Sequence, residues 1–404
     1  MGQLMRRHWL PACLSDEVAV PDCTPLRTRL LGEDVVIFRD TEGKLGALAE
    51  QCPHRKASLA FGRNEECGLR CLYHGWKFAV DGSVMDMASE PNSERKKKSI
   101  KHKAYPVKES GGFIWVYLGP EEDMTIFQPP AWAPSPEVKT SVVKIHTHCN
   151  WAQVLEGSID SAHSSSLHSS NMPSAEVENS TATADSWLRP SKDKSPKLEI
   201  EMTDYGFQYA ALRKPIQNQE ENYYIRTTIF IAPFTVLIPP NTEYKLAQML
   251  FPIDDHNTMF YWVAWHPNPE KGISQEDWRK FCAAEVGIDI DENYVRKLNL
   301  ENWFKQDREA MKNGHFTGIK GIPAEDMAMW ESMGSIANRS DEILGSSDLS
   351  IVKFRHQMLK AAKDFIDGQP AIGTKRTNTR HVDLSSFEGI VPKSTDWRAL
   401  RDTF

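Results

Sequence analysis

No stretch of the 404-residue chain is apolar for long enough to cross a bilayer. The longest candidate, residues 227–240, is interrupted by Pro233, whereas a spanning helix needs about 20 apolar residues. The sequence therefore predicts no membrane segment. Arg6 and Arg7 stand near the N-terminus but no apolar run follows them; a secretory signal needs roughly 7–15 such residues, so the predicted compartment is the cytoplasm. A surplus of basic residues is also missing. Formal net charge is −7, and neutralising phosphates requires excess Lys and Arg, which argues against a nucleic-acid partner. Cysteine is sparse and odd in number: the seven residues Cys13, Cys23, Cys52, Cys67, Cys71, Cys149 and Cys282 are irregularly spaced. In a cytosolic chain they read as buried apolar groups or metal ligands rather than bridges. An internal repeat of about 20–50 residues is absent too, which excludes solenoids and propellers.

What is present is an ordinary globular composition, 40% hydrophobic and 25% charged, in a length suited to two domains of about 100–200 residues. Between residues 26 and 118 short strand signals (35–39, 45–49, 76–80 and 113–118) alternate with turn residues, predicting a small β domain. Pro129, Pro130, Pro134 and Pro136 make 128–138 a stiff linker candidate, so the expected domains are 1–138 and 139–404. In the second, 150–159 has helical spacing behind Asn150 as a candidate N-cap, and 176–200 is polar and expected as surface loop. Runs rich in β-branched and aromatic residues at 205–213, 223–239, 244–253 and 258–266 predict an antiparallel meander. Helical patterns return at 275–286, 323–336 and 348–366. The fold class is α+β.

Two groups of residues carry metal chemistry. Cys52-Pro53-His54 and Cys71-Leu72-Tyr73-His74 each pair a thiolate with an imidazole where a strand should give way to a loop. Two sulfurs and two nitrogens suit a tetrahedral zinc, or a [2Fe–2S] cluster with two Cys on one iron and two His on the other. A zinc knuckle built from Cys67 and Cys71 would strand a member of the mirrored pair, which favours the cluster. Downstream, Asp160-Ser161-Ala162-His163 is followed by His168. Residues five apart on a straight helix diverge by about 140°, so both imidazoles reach one metal only if the helix ends there, as the run Ser164-Ser165-Ser166 allows. A carboxylate from elsewhere would complete the facial triad of a non-haem Fe(II) oxygenase.

With Tyr73-His74-Gly75-Trp76 behind them, the first four residues resemble the Rieske iron–sulfur proteins. A Rieske domain followed by Asp-x₂-His-x₄-His is similar, over essentially the whole chain, to the catalytic subunits of Rieske non-haem iron oxygenases. The resemblance implies an all-β Rieske domain, then a catalytic domain with an antiparallel sheet flanked by helices in a helix-grip-like arrangement. It implies [2Fe–2S] ligation by Cys52, His54, Cys71 and His74, and Fe(II) held by His163, His168 and an Asp near the start of a late helix. That stretch is 323–330, where Asp326 is the preferred ligand and Glu325 the alternative. By itself an acidic pair at a helix N-terminus is more often dipole compensation. Asp160 resembles the catalytic carboxylate that links the Rieske histidine of one subunit to the iron-binding histidine of the next, which implies a homotrimer or stacked trimers. O₂ would be co-substrate, and electrons would come from NAD(P)H through a ferredoxin-type reductase.

Residues 155–163 and 326–334 look most like the phthalate-dioxygenase-like branch, whose members act on aromatic carboxylates by dihydroxylation or, in some, by oxidative O-demethylation of methoxy-aromatic acids. Gly157 stands where the wider family often has Asn, and agrees with this branch. Relatives carry a short segment ahead of residues 2–7, which leaves open a start upstream of Met1. An aromatic carboxylate needs a cationic partner in an apolar slot. Arg213 and Arg226 are the candidates, with Lys214 alternating to the other face, and Phe230, Phe234, Ile238 and Trp303 are candidate walls. The basic run Arg95-Lys96-Lys97-Lys98 with Lys101, His102 and Lys103 could steer an acidic electron donor. The alternative from another class is a non-enzymatic iron–sulfur electron carrier; a zinc-stabilised interaction module is weaker still, since d¹⁰ zinc would leave the protein colourless.

Overall fold

The computed structural model describes residues 1–183, 186–375 and 379–401. Two compact units are found, Met1–Phe127 and Gln128–Phe404. In the first, the short strand signals fold into three small antiparallel sheets. Leu26–Leu30, Glu33–Arg39 and Leu45–Ala49 form one, and Trp9–Leu14, Phe113–Tyr117 and Val107–Ser110 another. The third comprises Arg63–Glu65, Gly68–Arg70, Trp76–Phe78 and Val84–Met87. Val36, Phe38, Leu48, Leu69 and Phe78 meet in a single core, and Cys52 and Cys71 are buried in that same cluster.

The second unit is built on an eight-stranded antiparallel sheet. Its strands are β1 (Thr140–Thr147), β2 (Lys197–Met202), β3 (Gly206–Arg213), β4 (Asn222–Ile231), β5 (Thr235–Ile238), β6 (Lys245–Pro252), β7 (Thr258–Trp265) and β8 (Glu388–Pro392). The order β1-β7-β6-β5-β4-β3-β2 is the expected meander with β1 added at one edge, and β8 pairs with the first half of β4. The run 223–239 is two strands and not one. Pro233 has no N–H to donate to a ladder, so β4 ends at Ile231 and the chain turns before β5. Lys214 is exposed, opposite the buried Arg213.

Helices cover this sheet: α1 (Trp151–Ser158), α2 (Ile322–Ser332) and α3 (Leu349–Ile366). Asn150 caps α1 by accepting from the Ala152 N–H at 3.0 Å. Ile351, Phe354, Met358 and Ala361 form the buried stripe of α3 at helical spacing, and the Phe354 ring meets Phe230 and Trp151 edge to face. Arg355 of α3 grips the carboxylate of Glu156 on α1 with two bonds of 2.8 and 2.9 Å, a bidentate pairing that fixes the two helices in register. No helix among the described residues is long and apolar enough to cross a membrane.

Two expected loops are tied into this second unit. The Pro-rich segment lies within it, and Trp132 is buried beside Trp265 of β7, 6.5 Å between rings. Residues 176–200 carry a short hairpin, Thr181–Ala182 with Trp187–Leu188, and Trp187, Arg189 and Ser191 are buried. The segment is therefore only partly the expected surface loop: Glu176, Glu178, Asn179, Lys192, Lys194 and Lys197 are exposed, while the buried Arg189 and Ser191 are hydrogen-bonded internally.

Candidate metal centres and substrate cavity

Each Cys/His pair of the first unit sits on a loop closed in the same way. The N–H of Lys56 bonds the carbonyl of Cys52 at 2.9 Å, and the N–H of Gly75 bonds that of Cys71 at 3.0 Å. Both closing residues have left-handed backbone, φ 64° and 74°, a conformation glycine adopts without strain. The sulfurs lie at the buried end and the imidazoles at the partly exposed end. His54 and His74 are 4.4 Å apart between rings, with His54 stacked on Trp76 at 4.7 Å. Burial, with Cys71 alongside, pushes the Cys52 thiol up to about 11, while the N–H groups of His54 and Arg55 aim at its sulfur. Paired buried sulfurs met by backbone donors, with two imidazoles beyond, are the donor set a Rieske cluster requires.

In the second unit α1 ends at Ser158 and the chain tightens into a short 3₁₀ turn, His163–Ser165. This break allows both imidazoles to converge. His163 Nε2 and His168 Nε2 are 3.2 Å apart, and Asp326 Oδ1 of α2 lies 3.5 Å from the first and 3.1 Å from the second. Asp326 Oδ1 is buried without a well-formed hydrogen bond even though His168 Nε2 is close. Burial disfavours charge on His168, yet Asp326 and Glu325 outweigh it and lift its pKa to about 9. Three converging donors with this electrostatic demand for a cation fit a facial-triad iron.

Glu325 serves the site differently from its neighbour. Fully buried, it accepts from His168 Nδ1 at 2.7 Å, Asn171 Nδ2 at 3.0 Å and Thr317 Oγ1 at 2.5 Å. It therefore orients a donor imidazole from behind. Asp160 stands similarly behind His163: Oδ2 is 3.5 Å from His163 Nδ1, and Oδ1 accepts the Ala162 N–H at 2.8 Å. Burial opposes ionisation of Asp160, but His163 and the backbone N–H groups of Ala162 and His163 hold its carboxyl below the usual range. We expect Glu325→Gln to weaken Fe(II) binding by about 10–100-fold while leaving the [2Fe–2S] spectrum intact. Equilibrium titration with Fe(II) under argon measures this, and wild-type affinity would remove the supporting role.

A cavity opens beside the three donors. Its floor is the sheet face carrying Tyr209, Arg226, Thr228, Gln248 and Trp262; Met172, Trp187, Ile238 and Trp330 add apolar wall. Arg226 is buried, its Nε has no hydrogen-bond partner, and the nearest carboxylate, Glu388, is 3.5 Å away. Two further buried arginines flank it. Arg189 donates to Ser165 Oγ and Ser164 Oγ, both at 3.1 Å, and Arg213 to the Ser161 carbonyl at 2.7 Å. Burial, with Arg189 and Arg213 nearby, drives the Arg226 guanidinium well below its ordinary pKa.

Two family matches cover nearly the whole chain: the Rieske [2Fe-2S] domain over residues 8–106 and the family described as "LigXa C-terminal domain like" over 116–404. The chain belongs to the Rieske non-haem iron oxygenases. This oxygenase is 55% identical over 400 residues to the phthalate 4,5-dioxygenase oxygenase subunit of Pseudomonas putida, covering 98% of this chain and 90% of that one. It is 34% identical to the 3-chlorobenzoate-3,4-dioxygenase oxygenase subunit of Comamonas testosteroni, covering 98% and 93%. Among solved structures, NdmB of Pseudomonas putida CBB5 shares its fold with a TM-score of 0.63 at 17% identity, over 95% of this chain and 97% of that one. Membership makes the chain an enzyme, and the readings as a bare electron carrier or a zinc module are set aside.

In this oxygenase the expected substrate residues divide. Arg226 lines the cavity; Arg213 does not, because its guanidinium is committed to Ser161 and Ser165 beneath the ligand loop. Of the expected walls only Ile238 lines it. Phe230 packs on Phe207 and Phe234 on Phe251, in the core, and Trp303 is 78% exposed. Arg189 was not foreseen. The available signal was Trp187-Leu188-Arg189, an aromatic and a cation two apart, which a strand places on one face. In the basic run, His102 is buried against the Ala49 carbonyl, and Lys96, Lys97 and Lys103 are ion-paired. Arg95, Lys98 and Lys101 stay exposed with no ion pair among the described residues.

Proposed function

We propose that this chain is the oxygenase component of a multicomponent system that dihydroxylates an aromatic dicarboxylate of the phthalate type. One observation carries the substrate class. Arg226 presents a buried guanidinium without a hydrogen-bonded anion on the wall of the cavity that holds the iron donors, with Arg189 and Arg213 adding positive charge and only Glu388 set against them. Three buried guanidiniums against the one carboxylate of Glu388 leave an excess of buried positive charge, which is costly; a dianion with adjacent carboxylates offsets it. A methoxy-aromatic acid brings one carboxylate and leaves more of the excess unmatched, so O-demethylation ranks second. The relative acting on phthalate supports the same reading.

Cys52, His54, Cys71 and His74 would hold the [2Fe–2S] cluster, and His163, His168 and Asp326 the Fe(II). When bound, these groups supply electron transfer and O₂ activation. The protein's own residues bind and position: Arg226 holds a carboxylate, Trp187, Trp262 and Trp330 exclude water from the ring, and Glu325 and Asp160 orient the donor imidazoles. We assign Asp160 the further task of joining His163 to His74 of a neighbouring copy in a homotrimer or stacked trimers. Arg95, Lys98 and Lys101 would attract an acidic ferredoxin-type donor. We assign the protein to the cytoplasm, a reading supported by its need for electrons from NAD(P)H.

The test is metal analysis followed by coupled turnover. Anaerobically purified protein should contain about three irons and two sulfides per chain. With a reductase and NADH it should consume phthalate and O₂ together and release a cis-dihydrodiol. Formaldehyde release from methoxybenzoates with no phthalate consumption would establish demethylation in its place.

A further inference from the structure

Gly157 and Trp330 meet across α1 and α2 more closely than any side chain at position 157 would allow. A Cβ built on Gly157 would lie 2.2 Å from Trp330 Nε1, 2.6 Å from Cε2 and 2.7 Å from Cζ2. Both residues line the cavity that contains His163, His168 and Asp326. Trp330 follows Asp326 by four residues on α2, so its indole stands one turn along the same helix face as the proposed iron carboxylate. Trp330 is 4% exposed, and its ring lies 6.1 Å from that of Phe260 between centroids. Its backbone is held as well, since the Trp330 carbonyl accepts from Gln153 Nε2 of α1 at 3.1 Å.

We propose that Gly157 and Trp330 act as one specificity element, in which the missing side chain lets the Nε1–Cζ2 edge of the indole press against α1 and so sets the depth of the slot for the aromatic ring. Phe260 blocks retreat on one side and the helix backbone is pinned, so a methyl group at 157 drives the indole into the cavity. The chemistry selected is the edge of the substrate ring away from the carboxylates: an unsubstituted or narrow edge fits, a bulkier one does not. This rests on reading the cavity as the ring's binding site.

Two measurements test it. The first is anaerobic calorimetric binding of phthalate and 4-methylphthalate to iron-loaded wild type, Gly157→Ala, Trp330→Phe and the double variant, with iron content checked in each. Gly157→Ala should weaken phthalate binding by about tenfold or more, the double variant should regain most of that loss, and Trp330→Phe should shift preference toward 4-methylphthalate by about tenfold. Wild-type affinity for phthalate in Gly157→Ala, or no recovery in the double variant, overturns the pairing. The second is the crystal structure of Gly157→Ala, which does not depend on the substrate. An indole displaced into the cavity supports the proposal; an unmoved indole with α1 shifted instead refutes it. If wild type binds neither acid, the substrate assignment fails by itself, and the crystal structure still decides the pairing.

Discussion

Arg226→Gln should weaken phthalate binding by about 100-fold or more, because the substitution leaves a buried carboxylate without the guanidinium that pairs with it on the cavity lining. The same substitution should raise the thermal midpoint of the substrate-free protein. Burial and the neighbouring Arg189 and Arg213 lower the Arg226 pKa. A base whose folded-state pKa is lowered resists its own charge in the native state, so while charged it destabilises the fold. That penalty is complete below the folded pKa and fades as pH rises from there toward the unfolded value. At neutral pH, removing the charge stabilises the empty protein and removes the anion's partner, a trade typical of binding sites. Arg226→Lys should recover only part of the affinity, since an ammonium cannot reproduce the planar fork of a guanidinium. Binding calorimetry and thermal melts read both quantities on one preparation. If stability and affinity fall together, Arg226 is a structural residue and the clamp is wrong.

The contrast between Arg226 and Arg213 shows where sequence reading stops. Both side chains share one sheet face, because Arg226 pairs with Ala211 and Arg213 with Tyr224 across the same ladder. A shift of two residues moves a side chain about 7 Å along a strand, and that offset puts Arg213 under Ser161 and Ser165 and leaves Arg226 in the cavity. Periodicity gives the face but not the position along it. The adjacent acids 325 and 326 pose the same problem on a helix: neighbours differ by about 100°, and only the packing of α2 decides that Asp326 meets both imidazoles while Glu325 stands behind His168. The candidate Cys/His pairs and His163 with His168 were legible because coordination chemistry restricts both residue type and spacing, as in the matched loops at Cys52 and Cys71, whereas Asp326 was located through the family resemblance. Trp303 was misread for a local reason. Three successive residues, Trp303, Phe304 and Lys305, take left-handed backbone at φ 52°, 51° and 43°, a reversal that composition does not announce.

Asp160→Asn should keep both metal centres and lose turnover by about 100-fold or more. Asn preserves the acceptor that Asp160 Oδ1 offers to the Ala162 N–H at 2.8 Å, so the turn before His163 survives. What disappears is the negative charge beside His163 Nδ1, which the structure places 3.5 Å from Oδ2 in a side chain still 20% exposed. That remaining exposure is the physical basis for a second contact, and His74, on the partly exposed end of its loop, is the proposed counterpart in a neighbouring copy. The discriminating experiment is a single turnover with the cluster reduced beforehand. In wild type, cluster oxidation should keep pace with product formation once O₂ and substrate are mixed in. In Asp160→Asn, with iron and sulfide contents unchanged, the cluster should stay reduced on that timescale. Loss of iron would assign Asp160 to holding His163 alone, and oxidation at the wild-type rate would place the electron route elsewhere. Normal cluster oxidation in a variant deficient in product would shift the residue's role to positioning substrate, which Asp160, on the cavity wall, is also placed to do.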